Sequence, residues 1–389
     1  MNKKKILIVN NNLAIGGIQK ALVNLLQALS NDYDFTLYLF YNNGPLKSQS
    51  PENVKIIEAS FPLKFLGMSH RESKKYGFFR YLESFFLRAF TKLIGRKHPI
   101  NYVIKKAEAI KDHYDAAISF MQNPADKNFY GGCNEFVLRK VNADKKITFL
   151  HCDYSLYGGN NKNNNEILKK FDKICFVSNS CKDIFINCVK GLVDKTCVVK
   201  NFNNIQRINE LANIDTVKYD DNFINFLFVG RLSPEKGLLR LINALFKIKQ
   251  LNYKFRLHVV GGGNIHLYKD FVISKDMECD IIFWGEQSNP YRFMKKADLL
   301  IVSSYHEAAP MVINEAEILQ LPILSTNTVS AKEMLDGKAA IICENSEEGL
   351  FEAIKDYFEH DLKEKLKIKA KNIIYSNEEA YRQFANVLG

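Results

Sequence analysis

No apolar run in this chain approaches the roughly 18 residues needed to cross a bilayer. The longest candidates, Phe223–Val229 and Leu299–Val302, are strand-sized. The basic start Met1–Lys5 imitates a signal peptide, but only Ile6–Val9 follows before Asn10-Asn11-Asn12. That is too short for a signal and right for a first strand. The eight cysteines include no CxxC pair, and several sit in apolar runs such as Lys173–Val177. This excludes a zinc ribbon and argues for free, mostly buried thiols in a reducing cytoplasm. GxxxxGK[ST] and GxGxxG are both missing, so a Walker loop and a nicotinamide fingerprint are set aside; Gly261-Gly262-Gly263-Asn264 only hints at the latter. Short repeats and long low-complexity tracts are absent; Asn160–Asn165 reads as a mobile loop. Acids are scarce in one stretch: Lys64–Lys106 holds eleven cations against Glu72 and Glu83 alone.

What remains is a globular chain of 389 residues, 47% hydrophobic and 25% charged, with a net charge of +11. That length suggests two domains, and the charge favours anionic partners. Lys5–Asn10 reads as a strand, Asn11–Gly17 as a glycine loop, and Ala21, Leu22, Leu25, Leu26 and Leu29 as one helix face. Phe35–Phe40, Ala116–Phe120, Ile147–Leu150 and Ile174–Val177 continue as short buried strands. Residues Asn201–Asn222 turn polar and lose periodicity. A second alternating series then begins with Ile224–Val229, a helix over Leu238–Ile248, Phe255–Val260, Ile281–Trp284, Leu299–Val302 and Pro322–Ser325. From Phe351 the chain reads as charged helix. Alternation of this kind means parallel sheets covered on both faces. The expected domains are 1–203 and 204–375, with 376–389 a final helix. Ligands of such sheets bind beyond the carboxyl ends of the strands, and two facing halves would form a cleft there.

Two segments carry candidate chemistry. In Phe228–Gly237 a strand runs into Gly230, then Arg231 and Lys236, then a helix. A helix start with free N–H groups, a guanidinium fork and an ammonium together suit a diphosphate. The bland alternative is a turn with solvated charges. In Ser303–Ala316, Glu307 follows a strand and Glu315 falls in the next helix. Carboxylates there can accept sugar hydroxyl bonds, although an early-helix glutamate also has a dipole explanation. His151 closes the run Ile147–Tyr154, where a lone histidine is as readily structural as functional. Asp32-Tyr33-Asp34 has the form of a metal-binding Asp-x-Asp but reads better as a turn.

The order Gly-Arg-Leu-x-x-x-Lys-Gly, then Glu-x7-Glu, resembles family-4 retaining GT-B glycosyltransferases, the glycosyl transferases group 1 of capsule and exopolysaccharide synthesis. Gly285–Tyr291, Ala297–Leu299, Pro322–Asn327, Gly16-Gly17 and Ile147–Tyr154 resemble further landmarks of that family. The resemblance implies an α/β GT-B fold of two doubly wound Rossmann-like domains facing a cleft, with the last helix crossing back to the first domain. It implies transfer of a sugar, with retention, from a nucleotide sugar, expected to be a UDP-sugar, to a hydroxyl of a lipid-linked saccharide. It assigns Arg231 and Lys236 to the diphosphate, Glu315 to the ribose, and Glu307 and His151 to the donor sugar. Gly17, Gly230, Pro310, Met311 and Val312 would complete the nucleotide-sugar site. No metal and no cofactor are implied. The sequence departs from the family at Ala308, usually glycine, and at Ser330–Glu333.

The basic stretch contributes Lys74, Lys75, Arg80, Arg88, Lys92, Arg96 and Lys97, interleaved with Phe78, Phe79, Phe85, Phe86 and Phe90. That pattern describes a helix lying on an anionic membrane surface. No nucleic-acid motif accompanies it, so nucleic acid is not an expected partner. The expected location is the cytoplasm, peripheral on the inner face of a plasma membrane. The alternatives are a nucleotide-sugar epimerase or hydrolase on the same fold, and a non-catalytic membrane-associated binding protein.

Overall fold

A computed structural model describes residues 3–389. The chain separates into two compact units, Met1–Asn203 with Asn377–Gly389, and Asn204–Ser376.

The first unit is built on a parallel sheet. Its strands are β1 (Lys5–Asn10), β2 (Asp34–Leu39), β3 (Lys55–Glu58), β4 (Ile110–Ser119), β5 (Val141–Leu150), β6 (Lys173–Phe176) and β7 (Thr196–Val198). They lie in the order β3-β2-β1-β4-β5-β6-β7. β1 is buried along all but its first residue, which explains its unbroken apolar run: a parallel strand is covered on both faces. β4 and β5 are each ten residues long, twice the expected length or more. Their first halves are largely exposed and polar, so only the buried second halves carried an apolar signal. β3 and β7 are short edge strands without a buried run and left no such signal.

The second unit repeats the plan with β8 (Ile224–Val229), β9 (Phe255–Val260), β10 (Ile281–Gly285), β11 (Leu299–Val302), β12 (Ile323–Thr326) and β13 (Ala340–Cys343), ordered β10-β9-β8-β11-β12-β13. The Leu238–Gln250 helix buries Leu238, Leu241, Ile242, Leu245 and Ile248 against this sheet. Each such side chain contributes roughly 1.5–3 kcal/mol of transfer free energy.

The charged C-terminal stretch forms three helices, Glu347–Glu359, Leu362–Lys371 and Glu378–Leu388. The last packs on the first unit. Tyr381 donates to the Ala28 carbonyl at 3.1 Å, and Phe384 meets the Tyr33 ring edge-on at 5.6 Å. Asn377 and Asn203 exchange two bonds, of 3.0 and 2.8 Å.

The asparagine-rich segment is not the expected mobile loop. Asn161 caps a helix over Lys162–Leu168 by accepting from the Asn164 N–H. Asn164 is buried and bonds the Gly159 carbonyl at 2.8 Å, while Asn165 accepts from Tyr154 at 2.6 Å. The eight cysteines are all free, but four rather than most are buried. Among the described residues no helix is long and apolar enough to cross a membrane.

Candidate functional site

In an open parallel sheet the binding crevice lies where the strand order reverses, beyond the carboxyl ends. In the second unit that point is between β8 and β11, which pair directly and are followed by chain running to opposite sides. The loops after these two strands are the two segments that carry Arg231, Lys236 and Glu307. The side chains of Lys236 and Glu307 meet. The Lys236 Nζ donates to Glu307 Oε1 at 2.5 Å, and Ser304 Oγ donates to the same oxygen at 2.6 Å. The pair is largely enclosed, with Lys236 24% and Glu307 11% exposed. Arg231 stands apart: it is 72% exposed and among the described residues pairs with Glu235 alone, at 3.5 Å.

The close approach of the two loops depends on glycine. Gly237 has φ +68°, and a Cβ there would lie 2.0 Å from the Ser303 carbonyl oxygen. Ser303 Oγ in turn donates to the Lys236 carbonyl at 3.0 Å, and the Tyr305 N–H to the Glu235 carbonyl at 2.9 Å. Gly261 serves the same end: a Cβ there would sit 1.8 Å from the Gly230 carbonyl oxygen. Gly263 likewise packs on the β8 loop, a Cβ there lying 2.7 Å from the Leu232 carbonyl oxygen, while Gly262 faces the Glu286 side chain.

Arg240 is a residue the sequence reading missed. It is buried, stacks on the Tyr305 ring at 3.8 Å, and donates to the Ser303 carbonyl at 2.8 Å and Asn345 Oδ1 at 2.8 Å. It thus ties the loop after β11 to the start of the Leu238–Gln250 helix. Its signal was a cation in the first turn of a helix, where the dipole disfavours positive charge. Ser330, one of the departures from the family pattern, donates to the Glu307 carbonyl at 3.3 Å, so it braces the loop.

Pro310 caps the Met311–Ile318 helix, and Met311 and Val312 form its first turn. Glu315 lies a turn later and is 2% exposed. The first turn holds no acid, so the dipole explanation for Glu315 loses force.

In the first unit the reversal falls between β1 and β4. Gly16 leads into the Gly17–Leu29 helix in extended conformation, and a Cβ on Gly17 would meet nothing within 4 Å, so that helix start is open. His151 follows β5. Its ring lies over Phe120 at 4.7 Å and Phe149 at 5.8 Å. Burial pushes its pKa down to about 4, a backbone bond to Phe120 opposing the shift. The imidazole is therefore neutral at pH 7, and Nε2 is a buried nitrogen without a hydrogen-bond partner. Asp32 and Asp34 sit at the amino end of β2, where the Asp34 N–H donates to the Lys4 carbonyl, away from the carboxyl-end loops. Among the described residues no group of three or more His, Cys, Asp or Glu could hold a metal.

The basic stretch folds as the helices His70–Ser73, Phe78–Ile94 and Lys97–Lys106. Lys74, Lys75, Lys92 and Lys97 are exposed. Arg80 is half-buried, bound to Glu83 at 2.7 Å. Two of the proposed surface cations point inward instead. Arg88 donates to the Met68 and Phe65 carbonyls at 2.7 and 3.3 Å. Arg96 is wholly buried, bonded to Glu135, Asn123 and Asn164. A fully buried guanidinium needs a carboxylate and carbonyls to offset desolvation, and cation spacing along a helix cannot reveal them.

Comparison with known proteins agrees with this architecture. Residues 212–375 match the family described as glycosyl transferases group 1. The chain is 31% identical over 162 residues to the O-antigen biosynthesis glycosyltransferase WbnH of Escherichia coli, 40% of this chain and 45% of that protein. Matches of this kind span less than half of the relatives' own length. At 25% identity it aligns over 92% of both chains with N-acetylgalactosamine-N,N'-diacetylbacillosaminyl-diphospho-undecaprenol 4-alpha-N-acetylgalactosaminyltransferase of Campylobacter jejuni. The crystal structure of Anabaena HepE in complex with UDP and glucose superposes with a TM-score of 0.70 at 16% identity, covering 99% of both chains. Residues 212–375 thus match the glycosyl transferases group 1 family, and the whole chain shares the GT-B fold of HepE.

Proposed function

We propose that the chain transfers a sugar from a nucleotide sugar to a hydroxyl of a saccharide acceptor in bacterial surface polysaccharide synthesis. The observation that carries this reading is the enclosed Lys236–Glu307–Ser304 cluster at the β8/β11 reversal. An ammonium has three donors, and Lys236 spends one on Glu307. The others can meet a diphosphate. In the reaction the bond from the anomeric carbon to the diphosphate oxygen breaks. The acceptor oxygen bonds to the same carbon and passes its proton to the departing diphosphate oxygen. Lys236, Arg231 and the helix start stabilise the charge that develops on the leaving diphosphate. Glu307, held by two donors, would accept from donor-sugar hydroxyls, and Glu315 from the ribose.

UDP is the favoured nucleotide, because HepE was crystallised with UDP and glucose on the same fold. A lipid-linked acceptor is favoured because the Campylobacter relative is named for a diphospho-undecaprenol substrate. Retention follows from the family resemblance. The protein would work peripherally on the inner face of the plasma membrane. The test is thermal shift with UDP, GDP, ADP and their sugars, followed by nucleotide release. Stabilisation by UDP and one UDP-sugar, with acceptor-dependent UDP release, is expected. No shift with any of them would refute the reading. Turnover without an acceptor would favour a hydrolase or epimerase.

A further inference from the structure

The Phe78–Ile94 helix is turned inside out relative to an ordinary surface helix. The side facing the protein is polar: Ser84 and Thr91 are buried, and Arg88 is held by the carbonyls of Phe65, Met68 and Phe129. The outer side is apolar. Phe79 is 84% exposed, Leu93 75% and Phe86 55%, and Phe90 and Ile94 are more than half exposed. Phe79, Phe86, Phe90 and Leu93 follow one another at i, i+7, i+11 and i+14, one stripe of a helix. Water-facing helices normally show the reverse, and exposed apolar patches of this kind mark contact surfaces.

We infer that this helix inserts its phenylalanine stripe into the acyl boundary of an anionic membrane, with Lys74, Lys75, Lys92 and Lys97 around it contacting headgroups. The inference deepens the membrane part of the proposed function and is independent of its chemistry. Charge selects the occupant. The one acid on the helix, Glu83, is neutralised by Arg80, while the four lysines are exposed. An exposed apolar stripe with exposed lysines before it, on the same helix and just after it in the chain fits a lipid surface, where apolar burial and attraction to anionic headgroups add.

The anchoring is rigid. Asn11 and Asn12, directly after β1, donate to the Leu66 and Gly67 carbonyls at 2.8 and 2.6 Å, next to the Arg88 clamp. Asn11 also bonds the Gly131 carbonyl at 3.0 Å, and Arg96 reaches the neighbouring Tyr130 carbonyl at 3.3 Å. The helix is thereby fastened to the loops that follow β1 and β4. A helix seated in the bilayer would hold those loops at headgroup height, where the saccharide of a lipid-anchored acceptor lies.

The experiment is partition of the full chain into vesicles of phosphatidylcholine with or without phosphatidylglycerol. The chain has a single tryptophan, Trp284, in the other unit. Phe86→Trp therefore adds a reporter on the stripe. Its emission should shift to the blue on vesicle addition and be quenched by chain-brominated lipid. Phe79→Ser/Phe86→Ser/Leu93→Ser should lower partition into anionic vesicles at least tenfold. Its melting temperature and its UDP-induced shift should match the parent, since these side chains are exposed. Lys74→Glu/Lys75→Glu/Lys92→Glu/Lys97→Glu should abolish the preference for phosphatidylglycerol. Three results would overturn the proposal: no binding by the parent chain; partition kept in the serine variant but lost in the glutamate variant, which means headgroup contact alone; or a concentration-dependent dimer that the serine variant dissolves. Vesicle binding without any nucleotide response would sink the transferase reading and leave this one standing.

Discussion

Replacing Lys236 by alanine should weaken UDP binding by more than the loss of one cation. The ammonium now neutralises Glu307 at 2.5 Å inside a site where both groups are largely enclosed. Removing it deletes a charge-assisted contact of roughly 1.5–3 kcal/mol and also uncovers a carboxylate facing the diphosphate. A loss near the top of that range is about a hundredfold in affinity, since each 1.4 kcal/mol is tenfold. Arg231 is 72% exposed, so its alanine variant should lose less, under about tenfold, in line with the small worth of exposed charge contacts. The cycle discriminates further. Adding Glu307→Gln to Lys236→Ala should restore part of the UDP affinity, because the repulsive charge is gone. Glu307→Gln alone should affect UDP little and a UDP-sugar more. Titration calorimetry with UDP on the four variants reads the coupling. Unchanged UDP affinity in both Arg231→Ala and Lys236→Ala would refute the phosphate assignment. An additive cycle would refute the argument that Lys236 shields Glu307.

Glu315→Gln should lower affinity for UDP roughly tenfold but leave pyrophosphate binding unchanged; equal losses would remove the ribose assignment. Gly237→Ala should cost more than about 2 kcal/mol, because it combines a left-handed residue with a carbonyl clash at 2.0 Å. Gly337→Ala, with φ +74° and nothing within 4 Å, isolates the backbone part and should melt several degrees higher than Gly237→Ala. Stability should also fall with acid between pH 7 and 5. His151 and His258 are held near pKa 4 by burial, and His70 is lowered too. The unfolded chain therefore binds more protons than the native one in this window. The stability these groups contribute is complete above about pH 6.5 and declines towards pH 4, by about 2 kcal/mol per strongly shifted histidine on reaching pH 5. His151→Gln should flatten the melting-temperature profile; an unchanged slope would mean that His151 is not held neutral.

Much of the fold was legible because parallel strands buried on both faces must be apolar throughout. β1, β8, β9 and β11 have the ends read from their runs alone. Edge strands and half-exposed strands carry no such constraint, which is why β3, β7, β13 and the first halves of β4 and β5 were silent. The asparagine run misled for a related reason: polar composition reads as loop unless the partners that bury Asn164 are known.

The sequence by itself determined the alternation of strand and helix, the placing of Gly230, Arg231, Lys236 and Glu307 in strand-end loops, and the excess of charge in one segment. These are local properties of composition and spacing. Tertiary structure alone decided that Lys236 and Glu307 share one site while Arg231 faces solvent, that Arg240 braces it, and that Arg88 and Arg96 point inward while the phenylalanines between them face out. The physical reason is range. Helical and strand periodicity is written within a few residues, whereas which side of an amphipathic helix is buried depends on the polar groups that a distant part of the chain presents to it.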